Sequence, residues 1–197
     1  MTLQSQLMFL LPEIFILTMA CVILVMDLYL DDARRYLTFW LTQATLAGAV
    51  LLQLGMPQDS TLSVLNSMFV YDPMSVLLKI SACIVVAVTL FYTRSYLEQL
   101  NIHKGEYYVL ILFALLGIMV MSSANNLVVL YLGLELLSLS QYALVAFNRD
   151  SKQSTEAAMK YFVLGALASG MLLYGISMLY GATGTLDIPR IAMHIAQ

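Results

Sequence analysis

Residues 127–147 read LVVLYLGLELLSLSQYALVAF and contain one charged side chain, Glu135. A spanning α-helix needs about 20 mostly apolar residues, so this stretch predicts a transmembrane helix. A charge within the hydrocarbon costs at least about 2.5 kcal/mol on insertion scales, and such residues usually face a protein interior or water. Glu135 is therefore the first candidate functional residue of the chain.

The composition of the whole chain is typical of a membrane protein. Hydrophobic residues make up 61% of 197 positions, charged residues make up 11%, and the mean hydropathy is +0.85. An ordinary soluble domain has about 25% charged residues. The net charge of −3 offers no basic surface for a nucleic acid, so we expect the lipid bilayer, and no nucleic acid, as a partner.

Along the rest of the chain, the same length criterion predicts an all-α transmembrane bundle that occupies residues 1–197 as a single transmembrane domain. About six spans are expected, at residues 7–30, 36–56, 72–97, 107–121, 127–147 and 155–180, with a loop at 180–185. Ile188, Ile191 and Ile195 recur at helical spacing, which indicates an amphipathic helix on the membrane surface. Because the chain ends without completing another span, we expect it to be part of a longer protein.

The basic residues predict the orientation of these spans. The linkers after the first, third and fifth spans hold, at or near their edges, Arg34, Arg35, Arg94, Lys104, Arg149 and Lys152. The linkers after the second and fourth spans contain neither Lys nor Arg, and nor does the segment Met1–Gln6. By the positive-inside rule, the N-terminus is expected to be extracytoplasmic.

The residues around Glu135 indicate what its carboxyl group could do. Tyr131, Ser138 and Tyr142 lie at helical spacing from Glu135 and therefore share its face of the helix. A stripe of hydroxyl groups around one carboxyl group is what a hydrated proton path requires. The alternative is a protonated Glu135 that clamps two helices together by hydrogen bonds.

A second candidate, Lys160, lies in the next predicted span, and an acid and a base in adjacent membrane helices indicate proton handling. Lys160 could then be the charge partner of Glu135 through water. Glu156 lies one turn before Lys160. A Lys160 side chain that extends to the membrane surface and pairs with Glu156 explains the pattern equally well. The pattern leaves both interpretations open.

The remaining polar positions favour structural roles. Lys79 is expected to extend to the outer surface near Asp72, and Glu13 is expected to lie at the membrane interface. Small residues in the last predicted span indicate close helix packing: Gly165, Ala168, Ser169 and Gly170. The sequence has no dinucleotide-binding glycine motif, no phosphate-binding loop and no clustered cysteines, so we expect no cofactor in this chain.

Two stretches resemble one family. YLGLELLSL at residues 131–139 and EAAMKYF at residues 156–162 look like the fifth and sixth helices of the antiporter-like membrane subunits of respiratory complex I, the NADH-quinone oxidoreductase. The run LELLSL at residues 134–139 is most similar to the subunit N branch of that family. The resemblance implies a longer subunit that is built on two inverted repeats.

The resemblance also implies roles and partners. Glu135 would be the helix-five acid and Lys160 a helix-six lysine of a non-redox subunit that translocates protons during NADH oxidation and quinone reduction. Other membrane-arm subunits would be its partners in the bacterial inner membrane, and NADH, flavin, iron–sulfur clusters and quinone would be bound by partner subunits. The alternatives are a subunit of a cation/proton antiporter and a structural membrane scaffold with a protonated, buried Glu135.

Overall fold

The structure is a computed structural model that describes residues 3–30, 36–56, 62–99 and 104–196. The predicted helical bundle is confirmed in its main part, with one small addition, a β-hairpin. The elements are α1 (Leu3–Met8), α2 (Leu11–Asp27), α3 (Tyr36–Leu54), β1 (Leu62–Val64), β2 (Phe69–Tyr71), α4 (Pro73–Gln99), α5 (Gly105–Ser122), α6 (Leu127–Val145), α7 (Lys152–Thr183) and α8 (Ile188–Ile195).

Among the described residues, five helices, α3 to α7, are long and apolar enough to cross a membrane. The first predicted span differs, because it is divided into α1 and α2, and α2 has 17 residues. That length is at the lower end of the range for spanning helices. The last span is longer than predicted: α7 continues through the expected loop to Thr183 and ends where Gly184 adopts a left-handed conformation with φ 68°. Glycine takes this conformation without a steric penalty.

Helix α5 lies at the centre of the bundle. It contacts α2, α3, α4 and α6, and its side chains Leu112, Leu115 and Met119 are completely buried. A helix that is apolar on all sides is most stable in such a central position. A Cβ atom on Gly117 would lie 2.7 Å from the Gly133 carbonyl oxygen, so the close approach of α5 and α6 requires glycine there. Helix α7 packs against α6 and is largely exposed elsewhere.

The hairpin of β1 and β2 is not predicted by the sequence pattern. These antiparallel strands pair Leu62 with Tyr71, and the turn contains three residues with positive φ: Leu65, Asn66 and Ser67. The hairpin precedes α4, whose first turn is capped where the Ser75 N–H donates to Asp72 Oδ1 over 3.0 Å. Strands this short give little periodic signal in a sequence.

The loop at residues 123–126, between α5 and α6, connects distant parts of the chain. The Asn125 side-chain amide donates to the Ser67 carbonyl oxygen over 2.8 Å, and the Ile188 N–H donates to the Asn125 carbonyl oxygen over 3.1 Å. The Asn126 side chain caps α6 by accepting from the Val128 N–H. The hairpin and the start of α8 are therefore held to the same loop.

At the opposite end of the bundle, two polar contacts join helix termini. Asp27, at the end of α2, accepts from the Thr38 hydroxyl over 3.3 Å and lies against Gly105, where a Cβ atom would be 1.8 Å from its carboxylate. The positive end of the α5 dipole favours a carboxylate at this place. Arg149 Nη2 lies 3.0 Å from Glu106 Oε2. Arg34 and Arg35, which the orientation argument uses, lie outside the described residues.

The expected helical segment is confirmed as the helix α8, and its place on the membrane surface stays a prediction. Its Ile191 side chain is buried, whereas Ile195, one turn further along the same face, is 70% exposed. Only the first part of this face therefore packs against the bundle.

Candidate functional site

Glu135 is half-buried on α6 and is linked to α7 by hydrogen bonds. The Ser169 hydroxyl donates to Glu135 Oε2 over 2.7 Å, and the Tyr131 and Ser169 hydroxyl oxygens are 2.9 Å apart. A hydroxyl has a single proton to donate. Because Ser169 gives its proton to Glu135, Tyr131 must donate to Ser169. We call these three residues the Tyr131–Ser169–Glu135 relay.

A close helix contact holds the relay together. A Cβ atom at Gly165 of α7 would lie 1.9 Å from the Tyr142 hydroxyl oxygen of α6, so this tyrosine fills the space that the glycine leaves. The Tyr142 ring also meets the Tyr161 ring edge-on, with centroids 4.9 Å apart. The predicted packing role of Gly165 is thereby explained at the level of a single contact.

The structure places the predicted polar stripe of α6 in three different settings. Tyr131 reaches Glu135 through Ser169 rather than directly. Ser138 is half-buried and makes no hydrogen bond within the described part of the chain, and Tyr142 packs against α7. From the sequence, Ser169 was expected only to pack between helices, and its polar role was missed. The sequence feature that indicated this role was a hydroxyl group in an otherwise apolar stretch of α7.

Lys160 lies apart from the relay. Its Nζ is 2.6 Å from Glu156 Oε1, and the two side chains are 70% and 69% exposed. At 3.6 residues per turn and 1.5 Å per residue, Lys160 lies roughly 13 Å from Ser169 along α7 and on about the opposite face. The structure therefore does not bring Lys160 to Glu135, and it confirms the partnership with Glu156. A role for Lys160 in proton transfer stays a prediction.

One expectation from the sequence is wrong. Lys79 does not extend to the surface, because its side chain is only 2% exposed and its Nζ lies 2.5 Å from Oε1 of Glu13, which is 6% exposed. The position of Glu13 at the membrane interface stays a prediction. The Lys79 ammonium also lies 4.7 Å from the centroid of the Phe69 ring. The inward faces of α2 and α4 meet here, and a charge buried between helices needs a partner of opposite sign.

Further polar groups are buried at the same end of the bundle. Glu13 Oε2, the Tyr71 hydroxyl and both polar atoms of the Gln53 amide have no hydrogen-bond partner among the described residues. The pKa of Tyr71 is raised above its usual value, first by burial and then by the negative charge of Glu13. Tyr71 therefore keeps its proton and can donate it in a hydrogen bond.

No group of three or more His, Cys, Asp or Glu side chains that could hold a metal ion occurs in residues 3–30, 36–56, 62–99 and 104–196. Cys21 is exposed and Cys83 is buried, and neither forms a disulfide.

Comparison with known proteins gives the family. The family described as NADH:quinone oxidoreductase/Mrp antiporter, TM, matches residues 124–197. The chain is 53% identical over 184 residues to NADH-quinone oxidoreductase subunit N of Thioalkalivibrio sulfidiphilus, which covers 93% of this chain and 38% of that protein. It is 56% identical over 190 residues to subunit N of Herminiimonas arsenicoxydans, covering 94% of this chain and 38% of that protein.

Solved structures agree with the sequence relatives. The fold matches a chain of respiratory complex I from Thermus thermophilus with bound aureothin, with a TM-score of 0.75 and 27% identity, over 94% of this chain and 41% of that chain. A chain of an archaeal membrane-bound sulfane sulfur reductase has the same fold, with a TM-score of 0.74, 22% identity, and coverage of 95% and 40%. With its five long apolar helices and its bacterial relatives, the chain is a multi-pass protein of the bacterial inner membrane.

Proposed function

We propose that this chain, which belongs to the family of NADH-quinone oxidoreductase subunit N, supplies part of a proton path in the membrane arm of such an oxidoreductase. The chain spans 38% of the length of these relatives. The remainder of the subunit and other membrane-arm subunits would complete the path. In this proposal the chain is a non-redox part of a proton-translocating enzyme, and NADH, flavin, iron–sulfur clusters and quinone are bound by partner subunits.

The Tyr131–Ser169–Glu135 relay is the observation that supports this role most directly. A proton that arrives at the Tyr131 oxygen releases the tyrosine's own proton to Ser169, and Ser169 passes its proton to Glu135. The carboxylate becomes a carboxylic acid, and both hydroxyl groups keep one proton each. Rotation of the two hydroxyl groups then restores the starting arrangement. Glu135 thus acts as the group that stores the proton.

The exposed surface of α7 fits a chain that continues. In the most apolar stretch of α7, 6% of residues are buried, whereas the corresponding stretch of α5 is 44% buried. Lys160 and Glu156 lie on this exposed helix. We place later helices of the subunit against this surface, where they would remove Lys160 from lipid and give it a role in the proton path beyond its present ion pair.

The matching family description also includes Mrp antiporters, so a cation/proton antiporter subunit is the second candidate. The relatives with 50–56% identity are all named NADH-quinone oxidoreductase subunit N, which favours the oxidoreductase. A structural scaffold is the third reading, and in it Glu135 would remain protonated as a clamp between α6 and α7. The proton path and the structural scaffold differ in whether Glu135 changes its protonation state during turnover.

The test is a Glu135→Gln substitution in the complete subunit within the assembled complex. Glutamine keeps the shape and accepts the hydrogen bond from Ser169, but it cannot store a proton. We expect NADH-driven proton uptake into membrane vesicles to fall by at least about a hundredfold, the usual contribution of a positioned acid or base. The matched control is Glu98→Gln on the exposed end of α4, which lies outside the proposed path and should retain proton uptake. Full proton uptake by the Glu135→Gln complex would refute the proposal.

A further inference from the structure

We propose that Glu13 and Lys79 form a second proton-exchanging site, hydrated and covered by the β-hairpin, at the extracytoplasmic end of the bundle. This inference rests on the proposed function, because it adds a place where protons enter or leave the same membrane subunit. Neither residue belongs to the Tyr131–Ser169–Glu135 relay.

The first argument is the burial of the pair. The Lys79 and Glu13 side chains are 2% and 6% exposed, and Nζ lies 2.5 Å from Oε1. The free-energy cost of removing two charges from water is compensated only when the remaining lone pairs and protons also find hydrogen-bond partners. Glu13 Oε2 has none among the described residues. The ion pair alone therefore leaves an open acceptor in the protein interior.

The second argument is the neighbouring polar groups. The Tyr71 hydroxyl is buried and unpartnered among the described residues, and the pKa of Tyr71 is raised first by burial and then by the negative charge of Glu13. The Gln53 amide lies on the last turn of α3 and is buried. Neither of its polar atoms has a hydrogen-bond partner among the described residues. Buried polar groups of this kind are normally bridged by internal water. We assign the ligand of this site as water, bound between the carboxylate and the phenol.

The third argument is the position of the site. Glu13 lies in the first turn of α2, and Lys79 lies about two turns into α4. The distribution of basic residues predicts that these helix ends are extracytoplasmic. The hairpin covers the pair: the Phe69 ring lies 4.7 Å from Lys79 Nζ, and the Tyr71 ring packs on Phe9 with centroids 5.2 Å apart. In this proposal, water under the hairpin connects the pair to the outside.

The chemistry requires only proton movement. In one state the pair is ammonium and carboxylate, and transfer of a proton from Lys79 Nζ to Glu13 gives amine and carboxylic acid, with no net charge in either state. Uptake of one further proton makes the site cationic, and its release through water restores neutrality. The other titratable groups of the described residues at this site are the Tyr71 phenol and the Cys83 thiol, which lies one turn beyond Lys79 on the buried face of α4.

The test uses the complete complex with the double substitution Glu13→Gln and Lys79→Met. This pair buries no charge, so the complex is expected to assemble, while the site can no longer exchange a proton. We expect NADH-driven proton uptake to fall by about tenfold, less than a positioned acid or base usually contributes, because internal water still carries part of the flow. An assembled double variant with unchanged proton uptake would show that the pair is structural only and would overturn the proposal.

Two parallel variants make every outcome decisive. If Glu135→Gln stops proton uptake and the double variant does not lower it, the second site is wrong and the proposed function stands. If Glu135→Gln has no effect, the proposed role of the relay fails whatever the double variant does. If the double variant does not assemble, Tyr71→Phe decides, because it keeps the ring packing and removes the hydroxyl. A reduction of proton uptake by about twofold or more supports the hydrated site, and an unchanged rate overturns it.

Discussion

Two ion pairs of this chain have nearly the same geometry and very different surroundings. Lys79 and Glu13 are 2.5 Å apart and 2% and 6% exposed, whereas Lys160 and Glu156 are 2.6 Å apart and 70% and 69% exposed. A Lys→Met substitution at each position keeps an unbranched apolar stem and removes the ammonium. The two substitutions therefore compare the same chemical change inside the bundle and on its surface.

The expected destabilisation differs about tenfold. Lys79→Met leaves the buried Glu13 carboxylate without its cation, and breaking a buried pair in this way costs about 3–5 kcal/mol. Lys160→Met removes an exposed i,i+4 pair that is worth about 0.3–0.5 kcal/mol. Because both variants are compared in the same subunit, Lys79→Met should lower Tm about ten times as much as Lys160→Met.

The assay is thermal unfolding of the detergent-solubilised complete subunit, followed by the loss of the monodisperse peak in size-exclusion chromatography after heating. The double variant Glu13→Gln with Lys79→Met is the internal control, because a neutral pair should recover most of the lost stability. Equal shifts for the two single lysine variants would show that burial does not govern the strength of these pairs. A double variant as unstable as Lys79→Met would refute the reasoning about the uncompensated carboxylate.

Three further changes test the contacts around the relay and the hairpin. Ser169→Ala should lower NADH-driven proton uptake by about a hundredfold while Ser169→Thr, which keeps a hydroxyl, should not; equal rates for both would exclude a relay through this side chain. Gly165→Ala places a methyl group on the Tyr142 hydroxyl and should cost about 1–3 kcal/mol by overpacking, measured as a lower Tm, and an unchanged Tm would show that α6 and α7 separate easily. The pKa of Tyr71 is raised in the folded chain, so its contribution to stability is present below pH 10.0 and is lost as the pH rises above that value. Tyr71→Phe should therefore reduce the loss of stability in alkaline unfolding. The same dependence of stability on pH in both proteins would contradict this prediction.

The sequence could predict whatever depends on a single helix. The long apolar runs identified α3 to α7, and the isoleucine spacing identified α8, because length and periodicity are properties of each segment. Glu135 was recognised because a charge in an apolar run is costly in lipid wherever its partners are. These conclusions required no knowledge of which helices are neighbours.

The sequence could not predict contacts that depend on how helices are turned toward each other. Glu13 and Lys79 each have an apolar run around them, and only the meeting of α2 and α4 makes them a pair. Ser169 became part of the relay for the same reason, through the packing of α6 on α7. The hairpin has strands of 3 residues, which is too short for an alternating pattern to be distinguished from a loop.

The central claim is that Glu135 gains and loses a proton during turnover. The most direct measurement is infrared difference spectroscopy of the assembled complex with and without NADH, in the carboxylic acid C=O region. We predict a band that appears during turnover in the complex with Glu135 and is missing after Glu135→Gln. Identical difference spectra for the two complexes would contradict the account and leave Glu135 as a helix clamp.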